Sequence, residues 1–143
     1  FKPNLIETSS KLNINMPKIL FNLILKNLNK SKIKSRSVIF VGAAYKKNVN
    51  DIRESPAIAM MKKFLNKKYK VSYHDPFIKK INIENFKLKS LELNKKNFFN
   101  KIVIITTDHE NVNYKEILNY SLVVFDTRGA YRYHKPDKKI FLI

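Results

Sequence analysis

Four short strand-like runs, three of them mainly apolar and each closed by a polar cluster, constrain the fold more than any other feature of the sequence. Ser37-Val38-Ile39-Phe40-Val41 runs into Gly42, and Val71 to His74 runs into Asp75-Pro76. Ile102 to Thr106 precedes Thr107-Asp108-His109-Glu110, and Leu122 to Phe125 ends at Asp126-Thr127-Arg128-Gly129. The short apolar run Ser37 to Val41 reads as a strand buried on both faces, Ile102 to Thr106 as a strong strand, and Val71 to His74 and Leu122 to Phe125 as further strands. Helical segments lie between them. Ser55-Pro56 opens one, with Ser as N-cap, Pro at the first helical position, and Ile58, Met61, Phe64 and Leu65 as its core face. Residues 113–118 read as another helix, residues 77–101 as one or two short helices, and residues 140–143 as a last strand. Strands alternating with helices imply an α/β fold: a Rossmann-like parallel sheet with right-handed crossovers and flanking helices. In such a sheet ligands bind outside the carboxyl ends of the strands. The polar clusters 43–54, 106–110 and 126–129 fall there, and His74-Asp75 makes a fourth.

Ahead of the sheet, residues 3–29 read as one helix. Ile19, Leu20, Leu23, Ile24 and Leu28 recur at helical spacing, Phe21 and Leu25 widen the stripe, and Asn15-Met16-Pro17 marks an entry or a kink. The stripe is wider than a single covering helix needs, which points to a buried position or a partner's helix. The chain therefore divides into a helix at 1–30, a linker at 31–36 and the sheet domain at 37–143.

Composition narrows the function. A chain of 143 residues holds one core, and it contains no cysteine, so disulfides, thiolate metal sites and cysteine nucleophiles are excluded within it. The three histidines are dispersed, and no metal site is expected from them. The formal net charge is +18, but only four of the basic residues are Arg and the lysines are scattered in pairs. That pattern reads as a solvated surface, not a nucleic-acid stripe. The N-terminus shows no signal-peptide pattern and no initiator Met, as if the chain were cut from something longer. The apolar runs fall far short of the ~20 residues a membrane helix needs. A cytoplasmic location is the expectation.

The loop Gly42-Ala43-Ala44-Tyr45-Lys46-Lys47-Asn48-Val49-Asn50-Asp51-Ile52-Arg53-Glu54-Ser55-Pro56-Ala57 carries the chemistry. A dinucleotide fingerprint needs three glycines in this place, and only Gly42 is present. Asp75 stands where a ribose-binding acid would, but without the glycines the loop is not expected to hold NAD in the usual way. Tyr45 offers an aromatic face and a hydroxyl, Lys46 a point charge suited to phosphate, and Arg128 a planar fork at another strand end. Together they suit a nucleoside diphosphate. Asp51 and Arg53, two residues apart, read first as a pair that ties the loop to itself.

This loop resembles the signature that opens the C-terminal, UDP-binding domain of the UDP-glucose/GDP-mannose dehydrogenase family. Its wording is closest to that of the bacterial UDP-N-acetylglucosamine 6-dehydrogenases and their UDP-N-acetylmannosamine relatives. Val71-Ser72-Tyr73-His74-Asp75-Pro76, Ile104-Ile105-Thr106-Thr107-Asp108-His109 and Phe125-Asp126-Thr127-Arg128-Gly129 follow in the family's order. Leu5-Ile6-Glu7 and Asn15-Met16-Pro17 resemble the end of its central dimerisation helix. Asn48 and Asn50 stand where Asp is more usual, and Asn66-Lys67-Lys68 replaces a glycine-containing turn.

The resemblance implies an NAD-dependent UDP-sugar 6-dehydrogenase, which oxidises the sugar C6 alcohol to a carboxylate in two hydride transfers for polysaccharide biosynthesis. It implies that NAD and the catalytic cysteine belong to an N-terminal portion outside this chain, so no catalytic residue is expected here and the chain alone is expected to be inactive. It implies a homodimer through the N-terminal helix. It places Tyr45, Lys46 and Arg128 on the UDP-sugar substrate, and it has Arg53 reach across to the NAD, against the self-tying reading. Two rivals remain: a non-catalytic dimerisation or interaction module whose nucleotide loop is vestigial, and a nucleic-acid binder resting on charge alone.

Overall fold

The computed structural model describes residues 4–143, with side chains from residue 14 onward. Residues 1–3 of the N-terminal helix expectation, and the side chains of Leu5, Ile6 and Glu7, lie outside the described residues. The elements are α1 (Asn4–Lys30), β1 (Ser37–Val41), α2 (Pro56–Asn66), β2 (Lys70–His74), β3 (Lys80–Ile83), β4 (Phe86–Lys89), α3 (Lys95–Phe98), β5 (Ile102–Ile105), α4 (Tyr114–Tyr120), β6 (Val123–Asp126) and β7 (Ile140–Leu142). Five strands form a sheet in the order β2-β1-β5-β6-β7, and every pairing in it is parallel. This is the α/β architecture that the apolar runs imply. The chain leaves β1 toward β2, then returns past β1 to lay down β5, β6 and β7. The direction of winding reverses between β1 and β5, the place where open α/β sheets form their crevice.

The runs of β1, β5 and β6 are apolar because both faces are covered, whereas β2, at the sheet edge, alternates buried Val71 and Tyr73 with partly covered Ser72 and His74. Val38, Phe40, Ile102, Ile104, Val123 and Phe125 pack on the side of α1 and α2. Their alternates Ile39, Val41, Val103, Ile105 and Val124 pack with Phe98, Ile117 and Leu118 of α3 and α4. On the first side Phe64 meets Phe21, Tyr69 and Phe40 edge-on, with centroids 4.9, 5.1 and 5.7 Å away. Each such pair adds about 0.5–1.5 kcal/mol beyond burial. In α2 the buried positions are Ala57, Met60, Met61 and Phe64, while Ile58 and Leu65 are only partly covered. The core face is thus turned by one residue from the expected one.

Residues 77–101 differ from expectation. They form an antiparallel hairpin of β3 and β4 followed by the four-residue α3. Ile81 and Ile83 are buried and alternate with exposed Lys80 and Asn82, which is a strand period. Glu84, with φ 53°, turns the hairpin. The hairpin adjoins the edge of the sheet through Tyr73 and Ser90.

Pro17 sits inside α1, which runs through it without a break. It extends the stripe Phe21, Ile24 and Leu28 that faces the domain. Ile14, Met16, Ile19 and Leu23 point elsewhere and are exposed. No helix among the described residues is long and apolar enough to cross a membrane.

Candidate functional site

The loop after β1 has a buried base and an exposed crown. Residues 42–44 and Ser55 are buried, whereas residues 45–50 and 52–54 are exposed. The base begins at Gly42, whose φ is +88° and whose backbone lies against the loop after β5. A Cβ there would stand 2.4 to 2.6 Å from atoms of Thr107. No other residue type fits both conditions. Thr106 and Thr107 then donate their hydroxyls to the carbonyls of Gly42 and Ala44, at 2.5 and 2.7 Å. Ser55 has the backbone of an N-cap and Pro56 follows at the first helical position, but its hydroxyl donates to the Ala43 carbonyl at 2.7 Å and caps nothing. The expected capping bond gives way to a bond that closes the loop.

Asp75, 1% exposed at the end of β2, organises this base. Its Oδ2 accepts the amides of Ala43 and Ala44 at 2.7 and 3.1 Å, and its Oδ1 accepts those of Phe77 and Ile78 at 2.8 and 2.9 Å. The His109 ring supplies a fifth bond, Nε2 to Oδ2 at 3.0 Å. Burial pushes the Asp75 carboxyl up, but the His109 bond and the amides outweigh it and hold it at about 2. The amides that a dinucleotide fingerprint turns toward a pyrophosphate are here occupied by the protein's own carboxylate. The base does not fit NAD, and Asp75 is not available to a ribose.

The crown is where a ligand can reach. The Tyr45 amide donates to the Asp51 carbonyl at 2.7 Å, which folds the loop back on itself. Tyr45 is 47% exposed, and the Lys46 ammonium lies 5.6 Å from its ring centroid. Tyr45, Asp51, Arg53 and Glu54 line an open cavity of about 480 Å³. Arg53, with its side chain 87% exposed, grips Asp51 through two nitrogens, Nε to Oδ1 at 3.0 Å and Nη2 to Oδ2 at 2.8 Å. Hydrogen bonds from the Arg53 side chain and amide hold the Asp51 carboxyl at about 2, and the same pair raises the Arg53 guanidinium. The self-tying arrangement inferred from spacing is thus the one observed.

Arg128 lies on the loop after β6. Asp126, 1% exposed, shapes that loop by accepting the amides of Arg128, Gly129 and Tyr131 at 3.0, 2.8 and 2.8 Å. Gly129 takes a φ of +76° there. The exposed Arg128 approaches Asp108, Nε to Oδ1 at 3.5 Å. Three consecutive residues therefore touch both loops: Asp108 meets Arg128, His109 meets Asn48, and Glu110 meets Lys47 at 3.3 Å and Asn48 through its amide at 3.1 Å. Sequence reasoning gave no role to Asp126, His109 or Asn48. The signal for Asp126 was an acid closing a buried strand. The signal for Asn48 was a residue type that tolerates its φ of 58°. Among the described residues no group of three or more His, Asp or Glu could hold a metal ion.

A five-stranded parallel sheet with a winding reversal between β1 and β5 defines a Rossmann-like α/β domain. The model of the UDP-glucose/GDP-mannose dehydrogenase family, UDP binding domain, matches residues 39–133, and the chain belongs to that family. The chain is 34% identical over 145 residues to a UDP-N-acetyl-D-mannosamine dehydrogenase of Methanococcus aeolicus, covering 96% of this chain and 32% of that protein. It is also 34% identical over 104 residues to the protein of the same name from Methanococcus vannielii, covering 73% and 23%. Its fold matches a solved UDP-D-ManNAc dehydrogenase from Pyrococcus horikoshii with TM-score 0.76 at 23% identity, over 99% of this chain and 33% of that one. The chain spans about a third of the length of these relatives, or less.

Proposed function

We propose that this chain is the UDP-sugar-binding portion of an NAD-dependent UDP-sugar 6-dehydrogenase, which converts the sugar C6 alcohol to a carboxylate. The observation that carries the reading is the division of the first loop. Its amides are closed off by Asp75, while Tyr45 and Lys46 stand exposed at the carboxyl edge of the sheet. In this reading Tyr45 lies against the nucleotide, Lys46 neutralises the diphosphate, and Arg128 adds a fork from the neighbouring loop. Arg53 reaches NAD, the hydride acceptor, held by a part of the enzyme outside this chain. The exposed Met16, Ile19 and Leu23, which share one side of α1, form the face on which two copies pair.

The test is a calorimetric titration of the chain with UDP at physiological salt, with ADP as control. Saturable binding that prefers UDP and weakens about tenfold or more in Lys46→Ala and Arg128→Ala supports the reading. Equal, salt-sensitive heats for UDP and ADP, unchanged by the substitutions, overturn it and favour the vestigial loop.

A further inference from the structure

The nucleotide reading uses the crown, but a buried group outside it fixes where the crown stands. His109 is 0% exposed, and its two ring nitrogens face in opposite senses. Nδ1 accepts the backbone amide of Asn48 at 2.9 Å. It carries no proton, so the proton is on Nε2, which donates to Asp75 Oδ2 at 3.0 Å. Phe77 covers the ring, with centroids 5.0 Å apart, and Tyr114 anchors the His109 carbonyl at 3.0 Å. Asp75 holds Ala43 and Ala44, one residue before Tyr45, and His109 holds Asn48, two residues after Lys46. One buried histidine–carboxylate pair therefore grips both sides of the segment Tyr45-Lys46-Lys47. Asn48 completes the clasp by accepting the Glu110 amide on its Oδ1 at 3.1 Å.

We propose that His109 is a positioning residue for nucleotide binding: its neutral imidazole, through Nδ1, captures the Asn48 amide and so presents Tyr45 and Lys46 to the diphosphate. The inference rests on the nucleotide reading above. It assigns the two ring nitrogens separate duties, Nε2 to the stability of the base and Nδ1 to the placement of the crown.

Two substitutions divide those duties. In His109→Asn the side-chain oxygen can occupy the Nδ1 position and keep the Asn48 acceptor, while the donor to Asp75 is lost. In His109→Gln the side-chain nitrogen can occupy the Nε2 position and keep the donor, while the Asn48 acceptor is lost. Thermal unfolding, UDP titration and the Asn48 amide resonance are measured in both. The melting temperature is expected to fall in both. UDP affinity is expected to stay within about threefold of wild type in His109→Asn and to fall at least about tenfold in His109→Gln, with the Asn48 amide losing its exchange protection only in the latter. Equal affinities in the two variants, whether like wild type or equally weakened, overturn the proposal. If His109→Gln does not fold, amide exchange in the wild-type chain decides: an Asn48 amide exchanging like that of an unstructured residue, with or without UDP, overturns the clasp. A wild-type chain that ignores UDP defeats the nucleotide reading and this inference with it. A wild-type chain that binds UDP while both variants match it defeats this inference alone.

Discussion

The base and the crown of one loop, a few residues apart, are built on opposite principles. At the base every polar group meets a protein partner: the amides of Ala43 and Ala44 bind Asp75, and the carbonyls of Gly42, Ala43 and Ala44 receive Thr106, Ser55 and Thr107. At the crown Tyr45, Lys46 and Arg53 are exposed: Lys46 lies against the Tyr45 ring, and the Arg53–Asp51 pair stands in solvent. Buried polar groups must be satisfied internally, so the base has no bonding capacity left for a ligand. The crown keeps that capacity because water can be displaced from it. A single loop thus separates folding from recognition, and substitutions in its two parts should separate in the same way.

The largest effect is expected at Asp75. Replacing it with Ala strands four amides and the His109 ring, and denaturant unfolding should show a loss of about 3–5 kcal/mol. Gly42→Ala comes next, at about 3 kcal/mol, because the new Cβ meets Thr107 and the positive φ is strained. Both changes strike the base. A crown-sized loss from either would break the comparison.

Acid should act on the base as well. Asp75 is held at about 2 against 3.8 in the unfolded chain, so the unfolded state takes up its proton first as the pH falls. The resulting stability is fully present above about pH 4 and is lost between about pH 4 and 2, an effect of about 2 kcal/mol. Burial lowers the pKa of His74 below 6.5, which adds a loss in the same direction, beginning near pH 6.5. Unfolding free energies measured from pH 7 to pH 2 check both signs.

At the crown the order of effects reverses. Lys46→Ala and Arg128→Ala should leave the melting temperature nearly unchanged and weaken UDP about tenfold or more, read by calorimetry. Arg53→Ala should change least. The pair it forms with Asp51 is exposed and screened by solvent, so the melting temperature should stay close to that of the wild type, and UDP affinity of this chain should not move.

How much of this was legible in the sequence follows the range of each interaction. The parallel sheet was legible because strands covered on both faces leave unbroken apolar runs such as Ile102–Ile105. The Asp51–Arg53 pair was legible because its partners are two residues apart. The β3–β4 hairpin was not, since its strand period is carried by only a few apolar residues among Lys and Asn. The core face of α2 was off by one position because Ala57, Ile58, Met60, Met61 and Leu65 are all apolar, and only packing against α1 and β2 chooses among them. The Asp75–His109 pair was illegible for a different reason. Its partners are 34 residues apart, and the Asp75 contacts with Ala43 and Ala44 span more than 30 residues too. Nothing local marks such a pair until the winding of the sheet brings the ends of β1, β2 and β5 together. Ser55 does hold the N-cap position, but the partner of its hydroxyl was hidden as well, since the Ala43 carbonyl lies across the loop, 12 residues away.

The central claim is that the amides at the base serve the fold and the side chains at the crown serve the ligand. A UDP titration followed in the ¹H–¹⁵N spectrum of the chain tests it most directly. The account predicts saturable shifts at Tyr45, Lys46, Lys47 and Arg128, with the Ala43 and Ala44 amides unmoved because Asp75 holds them. Large shifts of the Ala43 and Ala44 amides, with Lys46 and Arg128 silent, would contradict it and make the base a phosphate cradle after all.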